Sequence, residues 1–174
     1  MFFIQMSGFP GSGKSTLALE IAKRIDCIII DHDIIKSALL NSLDESHIDG
    51  KLAGEISYNI DFSLVDFYLA QGKNVILDSP CLYEEMVEKG IDISSKYNAD
   101  YKYIECYVSD FVEINNRLKK RVRKISQISE VHSEDIFLTT LNNSKKPPDK
   151  KCFIVHTTDP VHTYIEDVIA YINY

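Results

Sequence analysis

Short apolar runs alternate along this chain with longer stretches in which apolar residues recur every three or four positions. The runs are Met1–Met6, Cys27–Ile30, Val75–Leu77, Tyr101–Val108 and Cys152–Val155. Runs of this length predict strands buried on both faces of a sheet. Between them, Leu17, Ala18, Ile21, Ala22 and Ile25 predict a first helix, and Ile35, Leu39 and Leu43 a second. Ile56, Ile60, Leu64 and Phe67 predict a long third helix that stops at Gly72, a normal C-terminal glycine. The polar stretch 44–52 before it reads as a loop. A helix over 83–97 follows, with Gly90 unfavourable in its middle, and then one with Phe111, Ile114, Leu118 and Val122 on its apolar face. The last helix has Asp159 as its expected N-cap, Pro160 at its first position, and Val161, Ile165, Val168 and Ile172 for packing. Strands that alternate with helices imply a parallel sheet covered on both sides through right-handed crossovers. The expectation is one three-layer α/β domain over residues 1–174.

The pattern weakens between residues 123 and 150, where a short helix fits only around Glu134–Leu141. Lys145-Lys146-Pro147-Pro148 must be extended or turning, because proline restricts itself and the residue before it. A long, weakly patterned stretch inside a compact domain reads as a functional lid or a disordered loop, and a lid is the expectation for 123–150.

Composition narrows the class. The chain has 174 residues, 45% of them hydrophobic, and a formal charge of −7, which weighs against general nucleic-acid or anionic-membrane binding. Cys27, Cys81, Cys106 and Cys152 are far apart, so a disulfide framework is not expected. The apolar start lacks a basic stretch before it and runs straight into a glycine-rich loop, unlike a signal peptide. No apolar run approaches membrane-spanning length. A cytoplasmic location is the expectation.

The chemistry starts at that glycine-rich loop, Ser7-Gly8-Phe9-Pro10-Gly11-Ser12-Gly13-Lys14-Ser15-Thr16. Gly8 and Gly13-Lys14-Ser15 fit the pattern of a glycine, four free residues, Gly-Lys and a hydroxyl residue. Glycines let the backbone curl so that N–H groups converge on phosphate oxygens, and the following helix aims its dipole at the same anion. Gly8, Gly11, Ser12, Gly13, Lys14, Ser15 and Thr16 therefore form the expected triphosphate cradle. Lys14 would reach the β- and γ-phosphates, and the Ser15 hydroxyl would join a Mg²⁺ shell.

Ligands of open parallel sheets bind at the carboxyl ends of strands. That rule adds three sites: Asp31-His32-Asp33, Asp78-Ser79 and the turn Thr157-Thr158-Asp159, with Thr157 on the nucleotide side. Asp33 has the chemistry to take a proton from a substrate hydroxyl, and Lys36 to hold an anionic group of that substrate; helix N-capping is the alternative for Asp31 and Asp33. Asp78 ends a strand as a metal-associated acid does, or caps the next turn. Arg117 to Lys124 holds six bases in eight residues and no acid. A solvated face is one explanation; an arginine closing on the triphosphate is the other, with Arg117 and Arg121 first and Arg123 third. The five histidines do not cluster at metal-ligand spacing, and His32 is a bystander or hydrogen-bond donor.

On Gly8–Thr16, Asp33-Ile34-Ile35-Lys36, Val75–Asp78, the Arg117–Arg123 helix and the final strand and helix, the chain resembles the P-loop kinases of small substrates. The resemblance is to the branch with polynucleotide 5′-kinase domains, gluconate-type kinases and AAA_33-like ATP-binding proteins, and it covers nearly the whole chain. It implies a five-stranded parallel core of order 2-3-1-4-5, with ATP and Mg²⁺. It also implies that Asp33 is the general base. In polynucleotide-kinase-like members an arginine follows that acid by three; here Lys36 stands there, a point charge in place of a planar two-pronged donor.

Two classes of function follow. One is an ATP-dependent kinase of a small hydroxylated molecule; the other is a nucleotide-binding switch or ATPase, with a nucleotide or polynucleotide 5′-hydroxyl kinase as a further variant. The acid and lysine after the second strand favour the kinase, since a switch needs no substrate-side base. Residues 26–100 carry Asp33, Asp44, Glu45, Asp49, Glu55, Asp61 and Asp66 against Lys36, Lys51 and Lys73, so a small neutral or cationic acceptor is expected there.

Overall fold

The computed structural model describes residues 1–42, 49–148 and 152–174. Leu43, Asp44 and Glu45, used in the expectations above, lie outside the described residues.

Five parallel strands form one sheet in the order β2-β3-β1-β4-β5. They are β1 (Phe2–Ser7), β2 (Ile28–Asp31), β3 (Val75–Asp78), β4 (Asp100–Tyr107) and β5 (Cys152–His156). β1 is the axis: all six residues are buried, and Ile4 pairs with Ile76 on one side and Lys102 on the other. Because side chains alternate along a strand, β1 feeds two cores. Phe2, Ile4 and Met6 meet Leu17 and Ile21 of α1 (Lys14–Ala22) and Ile165, Val168 and Ile172 of α7 (Ile165–Asn173). Phe3 points the other way, toward Phe62, Val65 and Leu69 of α3 (Gly50–Ala70) and Met86 and Val87 of α4 (Glu84–Lys96). This is the fold class and strand order expected.

Several faces differ from the pattern. On α3 the buried residues are Ala53, Gly54, Ser57, Asp61, Phe62, Val65 and Leu69, while Ile60 and Phe67 are exposed. α3 lies close to α2 (His32–Ser42), and a Cβ on Gly54 would stand 3.5 Å from the Lys36 ammonium nitrogen. That is ordinary contact distance, and small residues face this side while Ile60 and Phe67 are turned outward. α3 also begins earlier than expected: Asp49 caps it, its carboxylate accepting from the amides of Lys51 and Leu52. Gly72 ends it with φ 74°, as a left-handed C-terminal glycine should. β2 is an edge strand in which only Ile30 is buried, and α2 buries His32 and Ser37, leaving Leu39 half-exposed. α5 (Phe111–Lys120) stops before Val122, which is 98% exposed. Pro160 is extended, a 3-10 turn occupies Val161–Thr163, and α7 starts only at Ile165.

The weakly patterned stretch has structure of its own. α6 (Glu134–Asn142) is capped by Ser133, and Phe137 sits in a third core with Phe9, Val108, Ile114 and Leu118. Its ring meets that of Phe9 edge-on at 4.9 Å. Farther on, Lys146 pairs with the buried Glu105 of β4 at 2.7 Å, and the Tyr103 hydroxyl donates to the Lys145 carbonyl. All four cysteines are free. Among the described residues, no helix is long and apolar enough to cross a membrane.

Gly90 has a packing reason to stand inside α4. A Cβ there would lie 2.2 Å from Gln5 Oε1 and 3.0 Å from the Tyr101 ring. Gln5 cannot give way easily: its Oε1 accepts from the Tyr101 hydroxyl at 2.7 Å, and its Nε2 donates to the Met86 carbonyl at 3.1 Å. Helix propensity alone favours Gly90→Ala by roughly 1 kcal/mol. Overpacking a core costs about 1–3 kcal/mol. With a Cβ that would clash at 2.2 Å the cost lies toward the upper end, so Gly90→Ala should destabilise the protein by up to about 2 kcal/mol in denaturant unfolding; a gain in stability would show that the Gln5 network yields freely.

Candidate functional site

The loop between β1 and α1 adopts a backbone that side chains resist. Gly8, Gly11 and Gly13 have φ of 131°, 85° and 94°. At Gly8 the space is also closed, since a Cβ would fall 2.3 Å from the Cys106 carbonyl oxygen of β4. The loop is thus wedged against the neighbouring strand, and the Ser12 amide closes it on the Phe9 carbonyl at 3.0 Å. The Lys14 ammonium folds back into the loop and donates to the carbonyls of Gly8 (2.7 Å) and Phe9 (3.2 Å). Burial pushes its pKa down from the ordinary lysine value, opposed chiefly by the Asp78 charge. The Thr157 hydroxyl, at the end of β5, donates to the Ser12 carbonyl at 2.5 Å and braces the loop from the far side.

Asp78 ends β3 beside this loop and is buried. Burial raises its carboxyl above the usual range; the Lys14 charge and a contact from the Ser15 hydroxyl pull it back. A buried carboxylate next to a hydroxyl is a set of hard oxygen donors, which suits Mg²⁺. Among the described residues no three His, Cys, Asp or Glu side chains gather as a metal site, so the remaining ligands of such an ion would be phosphate oxygens and water.

At the end of β2 the two aspartates divide their work. Asp31 Oδ1 accepts from the amides of Asp33 (2.8 Å) and Ile34 (3.2 Å), capping α2, and its Oδ2 takes Lys124 Nζ at 2.8 Å. Asp33 does not cap. Its Oδ2 accepts from Gln127 Nε2 at 2.7 Å and its Oδ1 from the Ser126 hydroxyl at 3.3 Å. Ser37 also donates to Ser126, at 2.8 Å. The segment after α5 therefore holds the junction of β2 and α2 through Lys124, Ser126 and Gln127, none of which the sequence singled out individually.

The three arginines part company. Arg117 lines the cleft and is fixed by Glu113 (2.6 Å) and the Thr157 carbonyl (2.8 Å). Arg121 also lines it and donates to the Ile128 carbonyl at 2.8 Å, while its Nε is buried with no partner among the described residues. Burial lowers its pKa and the Asp33 charge raises it. Arg123 is exposed and outside the cleft lining, beyond the end of α5 at Lys120.

Phosphate loop, Asp33, Lys36, Asp78 and Thr157 all border one cleft of about 1500 Å³. That is larger than a single-ligand pocket, which holds about 300–1,000 Å³. Its lining contains eight lysines and arginines but only five carboxylates. Of residues 26–100 the lining takes Asp33, Glu55, Asp78 and Glu85 against Lys36, Lys51 and Lys89, so its surplus of bases comes from Lys14 and from Arg117, Lys120, Arg121 and Lys124. Asp66 pairs with Lys96 on the surface and Asp61 is buried behind His32. Tyr58, Phe62, Tyr83 and Met86 add an apolar wall that sequence spacing did not reveal, because it comes from two different helices and a loop.

Comparison with known proteins agrees with this geometry. A curated cytidylate kinase of Mycoplasmopsis agalactiae is 25% identical over 109 residues, 63% of this chain and 48% of that protein. The chain thus spans about half the length of the curated relative it matches. A sugar kinase from Janibacter sp. superposes with a TM-score of 0.70 at 15% identity, covering 99% of this chain and 95% of that one. Mycobacterium tuberculosis APS kinase, solved in complex with AMPPNP and APS, gives a TM-score of 0.66 at 12% identity over 99% of this chain and 98% of that one. The two superpositions show a shared fold. A family model, AAA_33, described as an AAA domain, matches residues 3–141, from the first strand through the phosphate loop to α6, and the chain therefore belongs to that family.

Proposed function

We propose that this protein is an ATP-dependent kinase that transfers the γ-phosphate to a hydroxyl of a small molecule. The observation that carries this reading is the division of one cleft. A phosphate loop with Lys14 stands on one side and a non-capping carboxylate, Asp33, on the other, with room for two ligands. A simple nucleotide switch has no use for the second. That the curated relative is a cytidylate kinase, and that structurally similar chains are kinases, supports the same class.

In this reading the backbone N–H groups of the loop and the N-terminus of α1 hold the triphosphate, and Lys14 exchanges the Gly8 and Phe9 carbonyls for phosphate oxygens. Asp78 and Ser15 would hold Mg²⁺, which when bound supplies charge neutralisation at the phosphates. Asp33 accepts the proton of the acceptor hydroxyl as its oxygen bonds to the γ-phosphorus and ADP leaves with the electrons of the broken P–O bond. Arg117 and Arg121 lie where charge on the transferring group develops. Lys36, on the same helix as Asp33, together with the basic lining, favours an acceptor with an anionic group. The segment 121–133 is the lid of the site: its hydrogen bonds to Asp33 must be released before an acceptor hydroxyl can reach that carboxylate.

The second reading, a nucleotide-driven switch, draws on the same lid contacts, which tie Asp31 and Asp33 to residues 124–127. Phosphate recovered on an acceptor, as against free phosphate alone, separates the two.

Three outcomes are expected. Lys14→Ala should weaken binding of a fluorescent ATP analogue tenfold or more while leaving the unfolding midpoint unchanged or higher, since a buried ammonium is removed; unaltered affinity would remove the loop from the site. Asp33→Asn should slow phosphate transfer by about 10²–10⁴-fold with little change in ATP affinity. Transfer at the full rate in that variant would exclude Asp33 as base. Hydrogen exchange of amides 121–133 should differ between the free protein and its AMPPNP complex with acceptor present, and identical protection would make the segment a fixed insertion.

A further inference from the structure

Asp61 is the least expected residue of the long helix. It lies at mid-helix with none of its surface exposed, although an uncompensated carboxylate in such a place is costly. Its Oδ2 lies 2.6 Å from His32 Nδ1, and its Oδ1 has no partner among the described residues. A mere tie between α2 and α3 needs no charge; a neutral amide or hydroxyl would serve at lower cost. The carboxylate does something a neutral group does not. Burial pushes the carboxyl up and the bond to His32 pulls it back; ionised, it accepts only, and so holds the imidazole proton on Nδ1 and leaves the lone pair on Nε2.

The ring is held on its face as well. Tyr58, on α3, stacks on it at 4.0 Å with 17° between the planes. Tyr58 is itself anchored, its hydroxyl donating to the Pro80 carbonyl at 3.0 Å. Edge, face and backbone are thus all constrained, as for the orienting partners of catalytic and metal-bound histidines. His32 is 4% exposed, and it borders the cleft along with Tyr58 and the next residue in the chain, Asp33. No partner for Nε2 stands among the described residues. His32 and Asp33, consecutive in the chain, thus both border the cleft, and each has acceptor capacity there: a carboxylate and a ring nitrogen. The donors that meet Asp33 here, Gln127 Nε2 and the Ser126 hydroxyl, are of the kind a hydroxylated ligand brings.

We propose that His32 is a second acceptor-binding residue, whose Nε2 takes a hydrogen bond from a donor adjacent to the phosphorylated hydroxyl, and that Asp61 is its positioning residue. The acceptor is accordingly a compound with two neighbouring donors, a vicinal diol being the simplest. This rests on the kinase reading.

The test pairs acceptors with analogues lacking only the hydroxyl next to the phosphorylated one: glycerol and propane-1,3-diol, and gluconate, phosphorylated at its 6-hydroxyl, and 5-deoxygluconate. Phosphate transfer from labelled ATP is measured for the wild type, His32→Gln and Asp61→Asn. Asp61→Asn removes the buried charge and keeps the shape, so it remains informative if His32→Gln folds poorly. For glycerol and gluconate both variants should raise KM about tenfold or more, with kcat changed much less. For the two analogues KM should stay as in the wild type, as should affinity for the ATP analogue. Nitrogen-15 spectra, with five histidines to assign, should show His32 protonated on Nδ1 in the wild type and altered in Asp61→Asn. Equal losses on the acceptors and on their analogues would make the pair structural only, and a proton on Nε2 in the wild type would overturn the assignment directly. Wild-type ATP binding with no transfer to any acceptor would refute the kinase reading, and this assignment with it.

Discussion

Everything in this molecule is arranged around a backbone approach that tolerates no side chain. At Gly8 the chain leaves β1 in the left-handed region with the Cys106 carbonyl where a Cβ would be. That contact can exist only if β4 lies directly beside β1, which the register Ser7 opposite Glu105 provides. The central position of β1, its complete burial and the two cores it feeds are the scaffold that holds one loop against one strand. An alanine at Gly8 would have to move either the loop or the sheet. The other strands complete the rim: β3 and β2 on one side bring Asp78, Asp31 and Asp33 to it, and β5 on the other brings Thr157 behind the loop.

What the sequence disclosed follows from how local its physics is. Strand runs, the phosphate loop and the Gly72 stop are decided by neighbours in the chain, and they read correctly. The orientation of α3 is decided by elements far from it in the chain. Ala53, Gly54 and Ser57 face inward, although hydropathy ranks Ile60 and Phe67 above them. Asp61 escaped notice for the same reason, since an acid in an exposed-looking stripe resembles solvated surface until His32 is seen 29 residues earlier in the chain. A four-residue spacing from Ala53 through Ser57, Asp61 and Val65 was the available signal, legible only to a reader willing to count small and polar residues as a face.

Charge calls for the same distinction. A tally over residues 26–100 describes a stretch of chain, whereas a ligand meets a surface assembled from several. Glu55 of α3 lines the cleft while Asp66 is paired on the surface, and the bases in excess are added by Lys14 and by the end of α5 and the segment after it. An excess of acid over the whole molecule and a basic site are compatible, because screening confines an exposed charge to about 8–10 Å at ordinary ionic strength.

The segment after α5 joins these threads. It leaves Arg121, touches Asp31, Asp33 and Ser37 through Lys124, Gln127 and Ser126, and then returns across the loop, where Phe137 packs on Phe9. Its far end is fastened to β1 and β4 through Ser144, Lys145 and Lys146. Both ends are thus fixed, one to the acceptor edge by polar contacts and the other to the sheet by a buried core and an ion pair. The two fastenings differ in strength: the hydrogen bonds at 124–127 are half-exposed and exchange with ligand groups at little cost, while withdrawing Phe137 would open a cavity costing about 3–5 kcal/mol. In the proposed kinase any movement would therefore be directed: the end over Asp33 would open and the end over the phosphate loop stay, so that the segment would govern access to the acceptor side and not to the nucleotide side.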